Sequence, residues 1–328
     1  MTTALITGIT GQDGSYLADF LLARGYRVIG LVRPDSPEPH ERLANIRQYL
    51  TLVQGSLLDQ PRLQSIIEEY RPAEIYNFAA RASSSQLFSD PLLTSEYNGL
   101  AVARQLELIR IVDPAIRFCQ ASSSEMFGNA TESPQTERTP FRPRNPYGIA
   151  KLFAHGMVGS YRETHDIFAC SSILFNHESP RRGHEFVTRK ISMAAARIAA
   201  GLDSHVHLGS LDARRDWGYA ADYVGAMWQM LQVSKPDDYV LATGVSHSVR
   251  ELCEIAFRHV GLDYRNCVTQ DLRAQHPKEV ATLVGDSTKA KEALNWSHSV
   301  SFEALVTMMV DADIRALAGL PRSARGDT

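Results

Sequence analysis

Gly8-Ile9-Thr10-Gly11-Gln12-Asp13-Gly14 follows the apolar run Ala4-Leu5-Ile6 and leads straight into the helical pattern Tyr16-Leu17-Ala18-Asp19-Phe20-Leu21-Leu22. A strand, a glycine-spaced turn and a helix in that order confine a chain to few folds. The glycines permit the tight turn and let the backbone approach a pyrophosphate. The new helix then points its free N–H groups and positive end at the phosphates. The spacing is G-x-x-G-x-x-G rather than G-x-G-x-x-G, and a glycine-rich turn before a helix is also ordinary structure. A second feature strengthens the dinucleotide reading. Tyr147-Gly148-Ile149-Ala150-Lys151 sets a phenol and an ammonium four residues apart on one helical face.

The chain of 328 residues is long enough for about two domains or one elaborated α/β unit. With 44% apolar and 22% charged residues it has the profile of an ordinary soluble globular protein. A net charge of -3 gives no general affinity for nucleic acid or an anionic membrane, so any anion site must be local. Cys119, Cys170, Cys253 and Cys267 lie far apart with no C-x-x-C pair. That argues for neither metal nor disulfide and favours a reduced, cytoplasmic protein. The glycine turn begins at the eighth residue, leaving no expected room for a signal peptide. No apolar run reaches the ~18 residues of a membrane span.

Apolar runs alternate with helical patterns through the first half. Strands are expected over 4–7, 27–32, 50–54, 74–78, 117–121 and 168–175, and helices over 59–70, 91–110 and 146–165. Such alternation implies a doubly wound α/β fold of the Rossmann type, a parallel sheet with helices on both faces. From Asn176 to Gly183 the texture turns polar and irregular, and 186–200 reads as a helix. The expected organisation is a dinucleotide-binding domain over 1–175 and about 218–245. A smaller α/β cap over 176–217 and 246–320 would cover the strand ends, and 321–328 would be a disordered tail.

A free tyrosine has a pKa of ~10 and is a poor base at neutral pH. A lysine ammonium one helical turn away is expected to stabilise the phenolate and lower that value. Tyr147 and Lys151 could then exchange a proton with an alcohol while a nicotinamide exchanges hydride with its carbon. The alternative is a surface Tyr/Lys pair on an amphipathic helix. Just upstream, Ser122-Ser123-Ser124-Glu125 follows the strand expected to end at Ala121. Its hydroxyls can bond sugar oxygens and Glu125 can act as a general acid or base, though a serine-rich turn capping a helix would look the same.

Five segments together, GITGQDGSYLADFLL, SSSEMFG, PYGIAK, FNHESPRRGHEFVTRKI and LDARRDWGYAADYV, resemble the extended short-chain dehydrogenase/reductases, and within them the GDP-mannose 4,6-dehydratases. The likeness runs from Ala4 to Trp296. It implies a closed redox loop on a GDP-sugar. Tyr147 takes the 4-hydroxyl proton as hydride passes to the cofactor, and Ser123 assists where the family has threonine. Glu125 removes the proton at the 5-position and helps expel the 6-hydroxyl as water, and the hydride returns to the 6-position. The resemblance further implies cofactor contacts from Gly8, Thr10, Gly11, Gln12, Asp13, Gly14, Arg33, Ser56, Leu57 and Ala79, besides Tyr147 and Lys151. Substrate contacts are implied for Ser83, Ser84, Glu125, Asn176, Arg182, Val187, Lys190, Arg215, His276 and Glu279, with Val187 and Lys190 at the guanine and Arg215 at a phosphate. No metal is implied. A homodimer or homotetramer is.

The chain departs from the family at several of these positions. His276-Pro277-Lys278-Glu279 stands where the family has Arg-Pro before an acidic residue, so that diphosphate clamp is expected to be weakened or to become pH-dependent. Arg81-Ala82 replaces a glutamine and a serine, and Gly55-Ser56 replaces Gly-Asp. The second strand ends Leu31-Val32-Arg33, and an arginine there suits the extra phosphate of NADP. Pro34-Asp35 follows in place of a second arginine, which keeps NAD as the alternative. Two other functions stay open at this level. A 4-reductase or epimerase would keep Tyr147 and Lys151 without needing Glu125 for proton removal. A non-catalytic sensor would keep only the fold.

Overall fold

The computed structural model describes residues 1–36, 40–82, 90–270 and 283–319. Its first half alternates strand and helix: β1 (Thr3–Thr7), α1 (Gln12–Leu22), β2 (Arg27–Val32), β3 (Thr51–Gln54), α2 (Gln60–Tyr70), β4 (Glu74–Asn77), α3 (Pro91–Ser95), α4 (Ala101–Val112), β5 (Arg117–Ala121), α5 (Pro146–His165) and β6 (Ala169–Leu174). The expected strands and helices fall on these elements, most within a residue or two. Their ends have local causes. Asp59 caps α2 by accepting from the Arg62 N–H at 3.1 Å, and Pro61 sits in its first turn. Asn145 and Pro146 start α5 in the same way, and Asp166 in the left-handed region ends it.

The helix expected over 91–110 is interrupted. Between α3 and α4 the turn Glu96–Leu100 is π-helical. The wide turn lets the buried Asn98 hold both Arg81 N–H (2.8 Å) and Arg81 C=O (2.9 Å), so it anchors the chain leaving β4.

The second half holds β7 (Asn176–Glu178), α6 (Val187–Ala199), β8 (Val206–Leu208), β9 (Arg214–Tyr219), α7 (Ala220–Met230), β10 (Asp238–Leu241), β11 (Ser246–Ser248), α8 (Val249–His259), β12 (Val268–Gln270), α9 (Thr288–Leu294) and α10 (Phe302–Gly319). The segment expected to be irregular after Asn176 thus opens with a short strand, because Asn176 pairs in parallel with Trp217 of β9. The expected tail over 321–328 lies outside the described residues. No described helix is long and apolar enough to cross a membrane.

The main sheet has seven strands in the order β10-β6-β5-β4-β1-β2-β3, and every pairing in it is parallel. Chain order reverses between β1 and β4, and open α/β sheets bind ligands outside the carboxyl ends of the strands at such a point. One face is covered by α1 and α7, with Leu17, Leu21, Val224 and Met227 in a shared core. The other face is covered by α2, α4 and α5, through Ile66, Leu106, Ile109 and Val158. A third core joins α6, α8 and α10 around Ile191, Phe257, Val310 and Trp217, which is 2% exposed.

Candidate active site

The glycine turn leaves β1 at the point of strand reversal. Gly8 has φ +70°, and a Cβ there would lie 2.7 Å from the Ala79 nitrogen at the end of β4. Only glycine fits such a backbone crossing. A Cβ on Gly14 would come within 2.4 Å of the Gly8 carbonyl oxygen. Gly11, whose N–H donates to Gly8 C=O at 3.0 Å, precedes α1 and brings no side-chain cap to it. The first N–H groups of an eleven-residue helix therefore face the crevice without a side-chain acceptor, which suits a diphosphate.

Gln12 and Asp13 use their side chains differently from a direct cofactor contact. Asp13 Oδ2 meets His177 Nε2 at 2.9 Å, Gln12 Nε2 donates to His177 C=O at 3.0 Å, and Ser179 Oγ donates to Gln12 Oε1 at 2.7 Å. These bonds tie the glycine turn to β7. Burial alone would raise the Asp13 carboxyl, but the charge and hydrogen bond of His177 together with Gln12 bring it below its usual value. Burial opposes charge on His177 as well, and Asp13 outweighs it, so the imidazole pKa is raised. Arg42, to which sequence reasoning gave no role, bonds Thr10 C=O (3.2 Å) and Arg181 C=O (2.7 Å) and braces the turn from outside.

Arg33 lies exposed past the end of β2, with Nε 3.5 Å from Asp35 Oδ1. Ser56 and the buried Leu57 follow β3, and the Ala79 N–H donates to Thr7 Oγ1 at 3.2 Å. Ser83, Ser84, His276 and Glu279 lie outside the described residues.

A chain of buried polar side chains levels the strand ends. Thr7 Oγ1 donates to Asn77 Oδ1 (2.6 Å), Asn77 Nδ2 to Gln120 Oε1 (2.7 Å), and Gln120 Nε2 to Ala121 C=O (2.7 Å). Ala121 C=O also accepts from Lys151 Nζ at 2.7 Å. Above this floor, β5 delivers Ser123 and Glu125 while α5 delivers Tyr147 and Lys151. The Ser123 hydroxyl accepts from the Glu125 N–H at 3.2 Å. Lys151 Nζ lies 5.6 Å from the Tyr147 ring centroid. The Ser123 hydroxyl and the Glu125 charge both act on the Tyr147 phenol, so the four expected reactive residues lie together at the ends of β5 and α5.

The expected electrostatics of the pair are corrected by burial. Tyr147 keeps part of its surface open to the crevice, yet the protein packed around its hydroxyl pushes its pKa up to about 12. The Ser123 hydroxyl pulls the value down and the Glu125 charge pushes it up, and both effects are smaller than desolvation. Desolvation brings the Lys151 ammonium down to about 8. Neither residue owes its shift chiefly to the other, because the ammonium is directed at Ala121 rather than at the phenol.

The remaining expected substrate residues surround a more open side. Asn176 begins β7 half-buried. Arg182 pairs with Glu178 at 3.1 Å and stacks 3.6 Å over the Phe186 ring, and its charge lowers the Tyr147 value. Val187, 37% exposed, opens α6. Lys190 lies on the same helix, but its Nζ donates to His207 C=O at 2.6 Å, so in this structure the ammonium is engaged by β8. The half-buried Arg215 donates to Arg214 C=O at 2.7 Å. Asn145, the α5 cap, was not singled out in the sequence. Its Nδ2 donates to Glu125 Oε2 at 2.9 Å. Its only sequence signal was the Asn-Pro step before a helical run.

Residues 5–309 match a family model described as GDP-mannose 4,6 dehydratase. The chain is 48% identical over 323 residues to GDP-mannose 4,6 dehydratase 1 of Arabidopsis thaliana, covering 95% of this chain and 89% of that protein. Among solved structures it is similar to a UDP-glucose 4-epimerase with UDP-glucose from Thermotoga maritima, with TM-score 0.86 and 23% identity over 96% of this chain and 100% of that one. It is also similar to RMD from Pseudomonas aeruginosa complexed with NADPH, with TM-score 0.82 and 21% identity over 96% and 100% of the two chains.

Proposed function

The chain belongs to the GDP-mannose 4,6-dehydratase family, and from that premise we propose that it dehydrates GDP-mannose to the 4-keto-6-deoxy sugar nucleotide in the crevice at the strand reversal. A bound nicotinamide dinucleotide supplies the hydride acceptor and donor. The glycine turn and the N-terminus of α1 hold its diphosphate, while Ser56, Leu57 and Ala79 line its adenosine side. Arg33 favours NADP over NAD, since a guanidinium suits a ribose phosphate. Asp35, 3.5 Å from Arg33, is the group that competes with that phosphate.

Tyr147 accepts the proton of the 4-hydroxyl, with Ser123 bonding the same oxygen. A tyrosine raised to about 12 holds its own proton at neutral pH. Positive charge brought beside it, from Lys151 and from the oxidised ring, is what makes it a base. The 4-ketone acidifies the neighbouring C5–H. Glu125 takes that proton, the C5–C6 double bond forms, and the C6–O bond breaks with loss of water. As C6 recovers hydride, C5 takes up a proton equivalent to the one lost from the 4-hydroxyl, so the net change is one water. On the nucleotide side Asn176, Arg182 and Arg215 meet the diphosphate, and Val187 and Lys190 meet the guanine, Lys190 after exchanging its bond to His207. Ser83, Ser84, His276 and Glu279 are assigned to the same substrate.

The observation that carries this reading is the Glu125 carboxylate close enough to Tyr147 for its charge to act on the phenol. A 4-epimerase or reductase needs no such base. Incubation with GDP-mannose and NADP should give a product lighter by one water. Glu125→Gln should slow that loss at least ~10²-fold while leaving cofactor and GDP binding intact. Water loss at the parental rate in this variant would remove Glu125 from the mechanism.

The two-part organisation, with the dinucleotide over 1–175 and about 218–245, is proposed with one refinement. Ala290, Leu294 and Trp296 pack with α1 and α7, so this late segment joins the first part. A homo-oligomer, dimer or tetramer, fits the exposed Leu100, Ile149 and Phe153 on neighbouring parts of α5 and the π turn. Four buried free thiols fit a reducing cytoplasmic setting.

A further inference from the structure

Asn145 makes two side-chain hydrogen bonds in opposite directions. Its Oδ1 accepts from the Gly148 N–H at 2.7 Å and caps α5. Its Nδ2 donates to Glu125 Oε2 at 2.9 Å. The side chain has little freedom, because Asn145 is 7% exposed and Pro146 fixes the backbone after it. The Glu125 end of the contact is equally constrained. A Cβ on Gly148 would lie 2.6 Å from the Glu125 carbonyl oxygen, so the first turn of α5 packs directly on the Glu125 backbone.

Capping alone does not require an amide. Serine and aspartate cap a helix about as well as asparagine. Only an amide can accept through one atom and donate through another in this geometry. The second function is therefore the one that asparagine adds. A glutamate's terminal torsion is broad, and a base must stay within hydrogen-bond reach of the proton it removes. Among the described residues Oε2 has the Asn145 amide and Oε1 accepts no hydrogen bond.

We propose that Asn145 is a positioning residue for proton removal: its amide holds one carboxylate oxygen of Glu125 and thereby aims the other at the sugar C5–H. This rests on Glu125 being the base. Asn145 acts through Glu125, the group its amide meets. It separates the two half-reactions, because Tyr147 performs the oxidation without it.

Asn145→Ser and Asn145→Asp test this, since both keep an oxygen to cap α5 and both lose the amide NH2 that meets Glu125, the serine hydroxyl being on a side chain one atom too short to cap and reach Oε2 together. Single turnover with GDP-mannose and oxidised cofactor is followed by nicotinamide absorbance and by product mass. Both variants should keep the parental GDP affinity and oxidation rate, and Asn145→Ser the melting temperature, which Asn145→Asp lowers by setting a second carboxylate against Glu125. Water loss should fall roughly 10- to 100-fold, the effect of a misaligned reactive group, so the reduced-cofactor absorbance persists in place of its brief appearance in the parent. A merely structural role would slow oxidation equally, because Tyr147 stands on the same helical turn. The proposal is overturned if either variant loses water at the parental rate, or if oxidation and water loss slow together. Glu125→Gln, run alongside, separates the two levels. If it still eliminates water, the base assignment fails and this proposal with it. If it abolishes water loss while the Asn145 variants do not slow it, only the positioning role fails.

Discussion

Lys151→Met asks whether the ammonium is held in the site against its own preference. Lys151 is 2% exposed, and burial lowers its pKa from 10.5 to about 8. One pKa unit is ~1.4 kcal/mol, so keeping the lysine charged costs the folded protein about 3 kcal/mol at pH 7. The sign follows from proton binding. Between the two pKa values the unfolded chain binds the proton and the folded one does not, so stability rises with pH through that window. The cost is full below the folded value and fades towards the unfolded one, leaving about 1.4 kcal/mol near pH 9.5. Against it stands the Nζ hydrogen bond to Ala121 C=O, 2.7 Å long and worth about 1 kcal/mol to the neutral amine, with whatever the charge adds contained in the pKa difference.

Methionine fills a similar volume without charge or donor. The variant should therefore exceed the parent in stability by about 2 kcal/mol at pH 7 and nearly match it near pH 9.5. Urea unfolding followed by circular dichroism at both pH values reads the difference. A stability gain that is the same at both pH values, or a variant less stable than the parent at pH 7, would refute the claim that desolvation governs Lys151. The more stable protein should also be the less active one. That pairing is expected where a strained charge serves chemistry.

Two further outcomes follow from the cofactor side. Arg33→Ala should weaken NADP by about ten- to a hundredfold, the worth of a charged hydrogen bond, and leave NAD nearly unchanged, as read by direct titration of both; equal losses would mean that Arg33 does not meet the ribose phosphate. Gly14→Ala should lower the melting temperature and weaken cofactor binding, against the ~1 kcal/mol gain usual for that exchange inside a helix, because the new methyl would meet the Gly8 carbonyl oxygen at 2.4 Å; a thermal melt showing stabilisation would contradict it.

Much of the fold was legible because its signals are local. The period of α5, the Asn-Pro step before it and the glycines after β1 each report on a few consecutive residues, and β2, β5 and α5 fall where expected. The π turn was not legible, since it answers to Arg81 and Asn98, which lie seventeen positions apart. The pairing of β7 with β9 escaped for the same reason, because a three-residue strand has too short a pattern to stand out from a polar loop.

The site divides along the same line. Residue types and spacing announced Tyr147, Lys151 and Glu125, but not the environment that sets their chemistry. Desolvation is a property of everything packed around a group, and it overrides the neighbour that spacing suggested: Lys151 reaches Ala121, and Tyr147 answers first to its surroundings and then to Ser123. The residues that hold the reactive ones in place join positions far apart in sequence, as in Asp13 with His177 and Asn77 with Gln120, 164 and 43 residues distant. No periodicity encodes such pairs. Asn145 lies between the two cases. Its capping role belongs to the local code and its sequence neighbours mark the helix start, whereas its bond to Glu125, twenty residues back, exists only because α5 packs onto the end of β5. A capping position can thus also hold a distant carboxylate without any sign of it in the local sequence. The test is to exchange the cap for another good one and see which half of the reaction slows.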